Sequence, residues 1–382
     1  MGAMHVGLFT ECYRPIQNGV VASVDALACE LRAGGHEVTC VTPRMPNYRE
    51  VQEFVVRVPS LPLPTRTAYR LTIPFVAGER GWRALERLSI VHTHSAFVTG
   101  WMGLRLARRL RVPLVFTYHT QLEEYVHYVP FDARATRSAA AHLTRTYANA
   151  ADAVVVPTAA MEARLRALGV TARIAVVASG IDLGEFAGGR RDEALRARFG
   201  VHADTAMVLS VGRLGREKNV ELTLAAFAQL GAQRARLVLV GDGAQREALQ
   251  RRAEQLGIAA RTTFAGEFPR ESLPAVYASA DAFLFTSTSE TQGLVLVEAL
   301  AAGLPVVAVD TPQTRDVLEG VGSVAAPEPP ALAAALRLAL RTRAARPLPA
   351  HVVRRFDVRS SARRVVDLYG ELVEAMRIGR AG

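Results

Sequence analysis

The chain has 382 residues, half of them apolar, enough for two ordinary domains with substantial cores and too apolar for a disordered polymer. No apolar run reaches the roughly 18 residues of a membrane span; the nearest, residues 293–309, is broken by Glu298 and Pro305, and no secretory signal segment is expected. The net charge of +10 is spread evenly, with 20 Arg against 15 acids in residues 1–185 and 26 basic against 21 acidic residues in 186–382, so no nucleic-acid-binding arm stands apart.

In chain order, residues 5–11 read as a short apolar strand, followed by a loop containing Asn18 and Gly19. Val20, Val21, Val24, Leu27, Ala28 and Leu31 then recur at helical spacing up to Gly34 and Gly35. Residues 37–42 form the next strand. Strand, loop, helix, glycine, strand is the opening of a βαβ unit and predicts a parallel sheet. Further strands are read at 54–58, 89–94, 114–118, 153–156 and 174–177, with helices that include 100–110 and 133–150. Around residues 179–186 periodicity is lost between two glycines, and a domain boundary is placed there.

A second series follows, with strands at 207–211, 237–240, 262–265, 282–286, 306–309 and 321–325. The long helix expected from residue 358 onward is predicted to fold back on the first domain. The fold class is therefore α/β, with two doubly wound parallel-sheet domains, 1–180 and 181–356, and residues 357–382 returning to the first. Ligands of such sheets bind beyond the carboxyl ends of the strands, and two such domains are expected to face across a shared cleft. The three cysteines, Cys12, Cys29 and Cys40, are odd in number and lack metal-ligand spacing, as suits reduced cytosolic thiols.

The chemistry-bearing residues fall at those strand ends. Of the 46 basic residues all are Arg except Lys218. In a chain so biased to Arg, a surviving Lys is either chance or a task that needs a compact ammonium rather than a planar fork. It lies in GRLGREKN (residues 212–219), where Arg213 and Lys218 leave a strand together and are placed to clamp a diphosphate near a helix start. Gly19 and Gly241 suit close backbone approach to a phosphate, although a plain tight turn explains either equally well. Residues 285–305, FTSTSETQGLVLVEALAAGLP, set Glu290 ahead of a buried apolar helix and Glu298 inside it. A buried carboxylate needs a partner, so the pair points to a ligand site. His92, His94 and His119 stand at first-domain strand ends without a third-ligand pattern. They are read as packed or hydrogen-bonding rather than metal-ligating, and His119 is open to either packing or substrate contact. The absence of G-x-G-x-x-G argues against a nicotinamide enzyme, and no D-x-D or G-x-S-x-G motif is present.

The combination GRLGREKN, VGDG and SETQGLVLVEALAAGLPVV, preceded by NGV, VHTHS, TYHT and SGIDLGEF in that order, resembles family 4 retaining glycosyltransferases of the GT-B fold across nearly the whole chain. The resemblance implies that Arg213 and Lys218 hold the diphosphate of a nucleotide sugar and stabilise the leaving charge. It implies that Glu298 takes the ribose hydroxyls, that Glu290 contacts the donor sugar, and that the backbone at Gln292, Gly293 and Leu294 helps hold phosphate or sugar. Gly19 and Gly241 approach the donor, His119 lies beside the transferred sugar, and the base stacks near Phe268. Neither a metal nor another cofactor is implied. The resemblance further implies that the C-terminal domain binds the nucleotide sugar and the N-terminal domain the acceptor.

For the acceptor, TYHTQLEEYVHYVP and the ETQGL variant resemble most the subgroup that glucosylates diacylglycerol. Its members would use UDP-glucose, and His94, Tyr118, Tyr125, His127 and Tyr128 would shape the acceptor mouth. A helix bearing Arg134, Arg137 and Arg145 and the loop at residues 59–73 are alternative contacts with an anionic membrane surface. The expected location is the cytoplasm and, for a lipid acceptor, the inner face of the plasma membrane. The alternatives kept are a soluble sugar, inositol-like or natural-product acceptor and, outside transferases, a GT-B epimerase or phosphorylase.

Overall fold

A computed structural model describes residues 2–62, 70–74, 79–126, 132–231, 233–342 and 348–381, with 79–82, 380 and 381 described by backbone alone. The chain divides into two compact units, Met1–Gly180 with Asp357–Gly382, and Ile181–Phe356. The first unit holds β1 (His5–Phe9), β2 (Glu37–Pro43), β3 (Val55–Val58), β4 (Ser60–Pro62), β5 (Arg70–Thr72), β6 (Ile90–Thr93), β7 (Leu114–Thr117), β8 (Ala153–Val156) and β9 (Arg173–Val176). Seven of these make one sheet in the order β3-β2-β1-β6-β7-β8-β9, every neighbouring pair parallel. β4 and β5 form a separate antiparallel pair with Leu61 opposite Leu71.

The central strands are apolar from end to end because both sheet faces are covered. Alternate residues divide between two cores: Phe9, Val91, Phe116, Val154 and Val156 in one, Leu8, Ile90, Val115, Ala153 and Val155 in the other. The second core also contains Val365, Leu368, Tyr369 and Leu372 of the helix Val358–Ala381. The turn into that packing is tight. A Cβ on Gly180 would lie 2.5 Å from Val358 Cα and 2.8 Å from Asp357 O, so only glycine fits there.

The second unit holds β10 (Ala206–Val211), β11 (Ala235–Val240), β12 (Thr262–Gly266), β13 (Ala282–Phe285), β14 (Val306–Val309) and β15 (Ser323–Ala325). They form one sheet in the order β12-β11-β10-β13-β14-β15, again parallel throughout. In both units the strand order reverses beside the first strand: between β1 and β6, and between β10 and β13. These are the points where loops diverge and leave room for a ligand.

Two elements differ from the sequence reading. The β4–β5 pair lies where a loop was expected, because its register is set by contacts that composition does not announce. The run from Leu294 is a helix as its apolar residues suggest, but it spans Leu294–Ala301 and so puts Glu298 little more than one turn inside it, where about two turns were expected. Gly293, at φ +82°, sets that start. Cys12, Cys29 and Cys40 are all unbonded thiols, the first and last of them buried.

Candidate functional site

In the second unit the two loops at the strand-order reversal carry the cations and the carboxylate. The loop after β10 runs Gly212–Asn219 and closes with a single 3-10 turn, Arg216–Lys218. The loop after β13 runs from Thr286 to Gly293. Lys218 Nζ donates to Glu290 Oε1, joining the two loops, and both side chains are largely buried. The hydroxyl-rich stretch that opens the second loop has a definite job. Ser287 Oγ and Ser289 Oγ donate to the Glu217 carbonyl at 3.1 and 2.9 Å, and Thr286 Oγ1 donates to the Asn219 carbonyl at 2.9 Å. Three hydroxyls thus grip the backbone on either side of Lys218 and hold the stem from which its ammonium reaches Glu290. The sequence displayed these residues but not this role, since hydroxyls that bind a distant backbone leave no periodicity.

Arg213 is anchored separately. Its guanidinium donates to Glu217 Oε1 at 2.6 Å, and the Glu217 side chain is fully buried. The β11 loop supports the same backbone, with Leu214 N donating to Asp242 O at 2.9 Å and Gln245 N to Leu214 O at 3.0 Å, and is itself tied to the end of β12 by Gly241 N donating to Gly266 O at 2.7 Å. Here the glycine is obligatory. Gly241 has φ +127°, and a Cβ on it would fall 2.1 Å from the Gly212 carbonyl oxygen. Gly241→Ala is therefore expected to destabilise the fold by about 2–4 kcal/mol, from a forbidden conformation plus the displaced loop. Urea unfolding checks this; a loss below about 0.5 kcal/mol, the scale of a neutral surface change, would mean that the loop yields freely.

Glu298 is buried on the helix Leu294–Ala301, and its partners are found by folding alone. Tyr277 donates its hydroxyl to Glu298 Oε2 at 2.7 Å, and Arg270 approaches Oε1 at 3.4 Å. Burial pushes the Glu298 carboxyl above its ordinary value, while the bonds from Tyr277 and Arg270 pull the other way. Gln292 is buried, Gly293 is the helix cap, and Leu294 is the first helical residue, so the backbone predicted to hold phosphate or sugar does form a helix start without a side-chain cap. Phe268 is half-buried and packs edge-on to Phe199, centroids 5.6 Å apart, with Arg198 above it.

In the first unit Gly19 is exposed at the start of the helix Gly19–Ala33, which Asn18 caps by accepting from Val21 N at 2.9 Å. The three strand-end histidines meet. His94 Nδ1 lies 2.9 Å from His119 Nε2, the rings edge to edge and 26° from parallel, and His92 bonds Thr117 Oγ1 at 2.6 Å and Tyr369 OH at 2.5 Å. Burial lowers all three: His92 to about 3, His119 to about 4, and His94 well below the usual range. Among the described residues no group of three His, Cys, Asp or Glu is arranged to hold a metal ion.

Of the predicted acceptor contacts, Tyr118 is buried beside Phe116, with its hydroxyl 3.4 Å from Glu123 Oε2, so its place is in the core behind the loop. Tyr125 follows the 3-10 turn Leu122–Glu124 and is half-buried. His127 and Tyr128 lie outside the described residues.

Residues 17–185 match the family model of Glycosyltransferase Family 4, and residues 191–353 that of glycosyl transferases group 1. The alpha-monoglucosyldiacylglycerol synthase of Streptococcus pneumoniae is 32% identical over 335 residues, covering 82% of this chain and 73% of that protein. The chain belongs to the family 4 glycosyltransferases. The enzyme of the same name from Acholeplasma laidlawii is 31% identical, with 80% of each chain covered. A GDP-mannose-dependent alpha-mannosyltransferase of Mycobacterium tuberculosis is 35% identical, over 83% of this chain and 82% of that one. Among solved structures, sucrose-phosphate synthase from Thermosynechococcus elongatus superposes with a TM-score of 0.77 at 24% identity, covering 97% of this glycosyltransferase and 100% of that chain. Anabaena HepE, determined in complex with UDP-glucose, gives 0.74 at 20% identity, over 97% of this chain and 100% of its own. These likenesses give this glycosyltransferase the GT-B fold that its motifs led us to expect.

Proposed function

We propose that this glycosyltransferase moves a hexose, with retention of configuration, from a nucleotide sugar to the hydroxyl of a diacylglycerol-type lipid, with UDP-glucose as donor. The observation that carries the reading is the Lys218–Glu290 pair, which joins the two switch-point loops of the second unit on a backbone gripped by Thr286, Ser287 and Ser289. A fixed cation beside a fixed carboxylate suits the two halves of such a donor, its diphosphate and its sugar. As the glycosidic bond to the diphosphate breaks, negative charge grows on the leaving phosphate. Arg213, Lys218 and the N–H groups at the start of Leu294–Ala301 stabilise it without reorganising. Glu290 binds sugar hydroxyls, Glu298 the ribose, and Phe268 lies toward the base. Gly19 approaches the diphosphate and His119 the transferred sugar, while His94 and Tyr125 shape the acceptor side and Tyr118 only backs that loop from the core.

These cations take over the role that a metal has in other transferases. Activity is accordingly expected to persist in excess EDTA, and its loss, restored by a divalent cation, would reinstate a metal.

The likeness to two alpha-monoglucosyldiacylglycerol synthases supports the lipid acceptor. Among the described residues no helix is long and apolar enough to cross a membrane; the attachment proposed for a lipid acceptor is peripheral. The β4–β5 pair favours the loop at residues 59–73 for that contact. Leu61 and Leu71 stand directly opposite each other and are 52% and 47% exposed, whereas in the early turns of the helix Ala133–Asn149 the exposed apolar side chains are alanines alone, beside Arg134, Thr136 and Ser138. The mannosyltransferase relative favours a second donor, GDP-mannose. The deciding assay offers labelled UDP-glucose or GDP-mannose with anionic vesicles containing diacylglycerol, or with soluble acceptors. Label from UDP-glucose entering the lipid phase is expected. Label found only in water-soluble product would overturn the lipid reading, and transfer from GDP-mannose alone would overturn the donor.

A further inference from the structure

At the strand-order reversal of the first unit, as at that of the second, one carboxylate ties the diverging loops together. Glu11 follows β1, and its Oε2 accepts from Thr99 N at 3.0 Å and from Thr99 Oγ1, at the start of the helix Val98–Leu110 that follows β6. That helix has Phe97 at its N-cap position and no side-chain cap of its own, so Glu11 supplies from across the reversal the anion that a helix start favours. The other oxygen, Oε1, accepts from Thr72 Oγ1 of β5 at 2.8 Å. Thr72 and Thr99 are both buried. Glu11 thus holds the loop after β1, the helix start and the β4–β5 pair at one end of the sheet.

What this junction leaves outside is large and apolar. Side chains alternate along a strand, so Leu71 and Ile73 point away from the face on which Thr72 meets Glu11, and both are exposed. Phe97, two residues before Thr99, is 47% exposed. Of the nine large hydrophobic side chains exposed among the described residues, Leu61, Leu71, Ile73 and Phe97 all belong to this junction. Single exposed apolar residues need no explanation, whereas a gathering of them marks a surface with a partner. Residues 59–74 include two arginines and no acid, so that partner brings no cation. An acyl chain meets both conditions, being apolar and uncharged, and His94 follows β6 at the same end of the sheet.

We propose that Glu11 is a positioning residue of the acceptor site. By holding Thr72 and Thr99 on one carboxylate, it presents Leu71, Ile73 and Phe97 together as the surface that receives the acyl chains of the acceptor. This rests on the lipid acceptor read above.

The test compares dioleoylglycerol with dihexanoylglycerol as acceptors for the full-length protein, both in the same neutral detergent micelles with UDP-glucose. The wild type is expected to favour the long chains in kcat/KM by about tenfold or more, the scale of burying a large apolar side chain against hydrocarbon. Phe97→Ser and Glu11→Ala are each expected to remove most of that preference with donor KM little changed. The double variant should lose less than the product of the two, because both act on one surface. Phe97 is exposed, so its variant tests the surface even where thermal unfolding shows that Glu11→Ala disturbs the fold. A merely structural Glu11 would lower transfer to both acceptors alike; that result, or a preference unmoved by Phe97→Ser, overturns the proposal. Losses seen with anionic vesicles and absent in micelles would assign the surface to the bilayer instead. A dimer in sedimentation that Phe97→Ser dissolves would assign it to a second copy of the chain. The reading beneath is separable. Transfer to neither diacylglycerol, from UDP-glucose or GDP-mannose, fails the lipid reading and the proposal with it, whereas equal transfer to both keeps that reading and overturns the proposal alone.

Discussion

Replacing Lys218 by alanine is expected to lower kcat/KM for the donor by about a hundredfold to a thousandfold, the cost of losing one preorganised charge at a developing anion. The change also takes from Glu290 the ammonium it pairs with in a largely buried setting, so the carboxylate proposed to bind the sugar is expected to lose its alignment at the same time. Lys218→Arg is not expected to rescue. Thr286, Ser287 and Ser289 fix the backbone beside Lys218, and a planar guanidinium cannot place a point charge where that backbone directs an ammonium. Steady-state kinetics and calorimetric titration of UDP-glucose check the loss, with thermal unfolding to show that the domain survives. Donor affinity and kcat both unchanged in Lys218→Ala would remove the loop pair from the site. Combining Lys218→Ala with Glu290→Gln should cost less than the sum of the two, because one interaction is being removed twice.

The second large effect is at Glu298, where function and stability are expected to move in opposite directions. Burial raises its folded pKa above 4.5 despite the bonds from Tyr277 and Arg270. A carboxyl with a raised folded pKa favours the native state while it is protonated. That contribution is complete below the unfolded value and is lost as pH rises through the folded one. Glu298→Gln removes this dependence and keeps a side-chain oxygen for Tyr277. The variant should match the wild type in Tm at about pH 4, near the ordinary carboxylate value, and exceed it increasingly as the wild-type carboxyl ionises. Donor affinity should meanwhile fall about tenfold or more, as a charged acceptor for hydroxyls becomes a neutral amide. A Tm difference that is flat with pH would show that burial does not govern this group. Unchanged donor affinity would take Glu298 out of the nucleotide site.

How much of this was legible beforehand differs from element to element. β8 could be read as Ala153–Val156 because a strand buried on both faces must be apolar throughout. The β4–β5 pair could not be, since nothing local to residues 60–72 fixes its register. Lys218 drew attention as the only lysine in an arginine-rich chain, and its loop was visible as a motif. That its ammonium meets Glu290, 72 residues onward, is a consequence of β10 and β13 lying side by side. Glu298 was legible as a buried carboxylate in want of a partner. Tyr277 and Arg270 carried no mark that identified them as that partner.

The sequence by itself determined what depends on neighbours along the chain: alternating strands and helices, two parallel sheets, the family motifs, and which side chains are chemically unusual enough to matter. Tertiary structure decided what depends on neighbours in space. It brought three hydroxyls to the carbonyls flanking Lys218, joined His94 to His119, and returned the last helix to the first unit through Tyr369. The reason is physical. Periodicity reports the face a residue presents, whereas a hydrogen bond between residues far apart in sequence exists only once strand order has fixed which loops are neighbours.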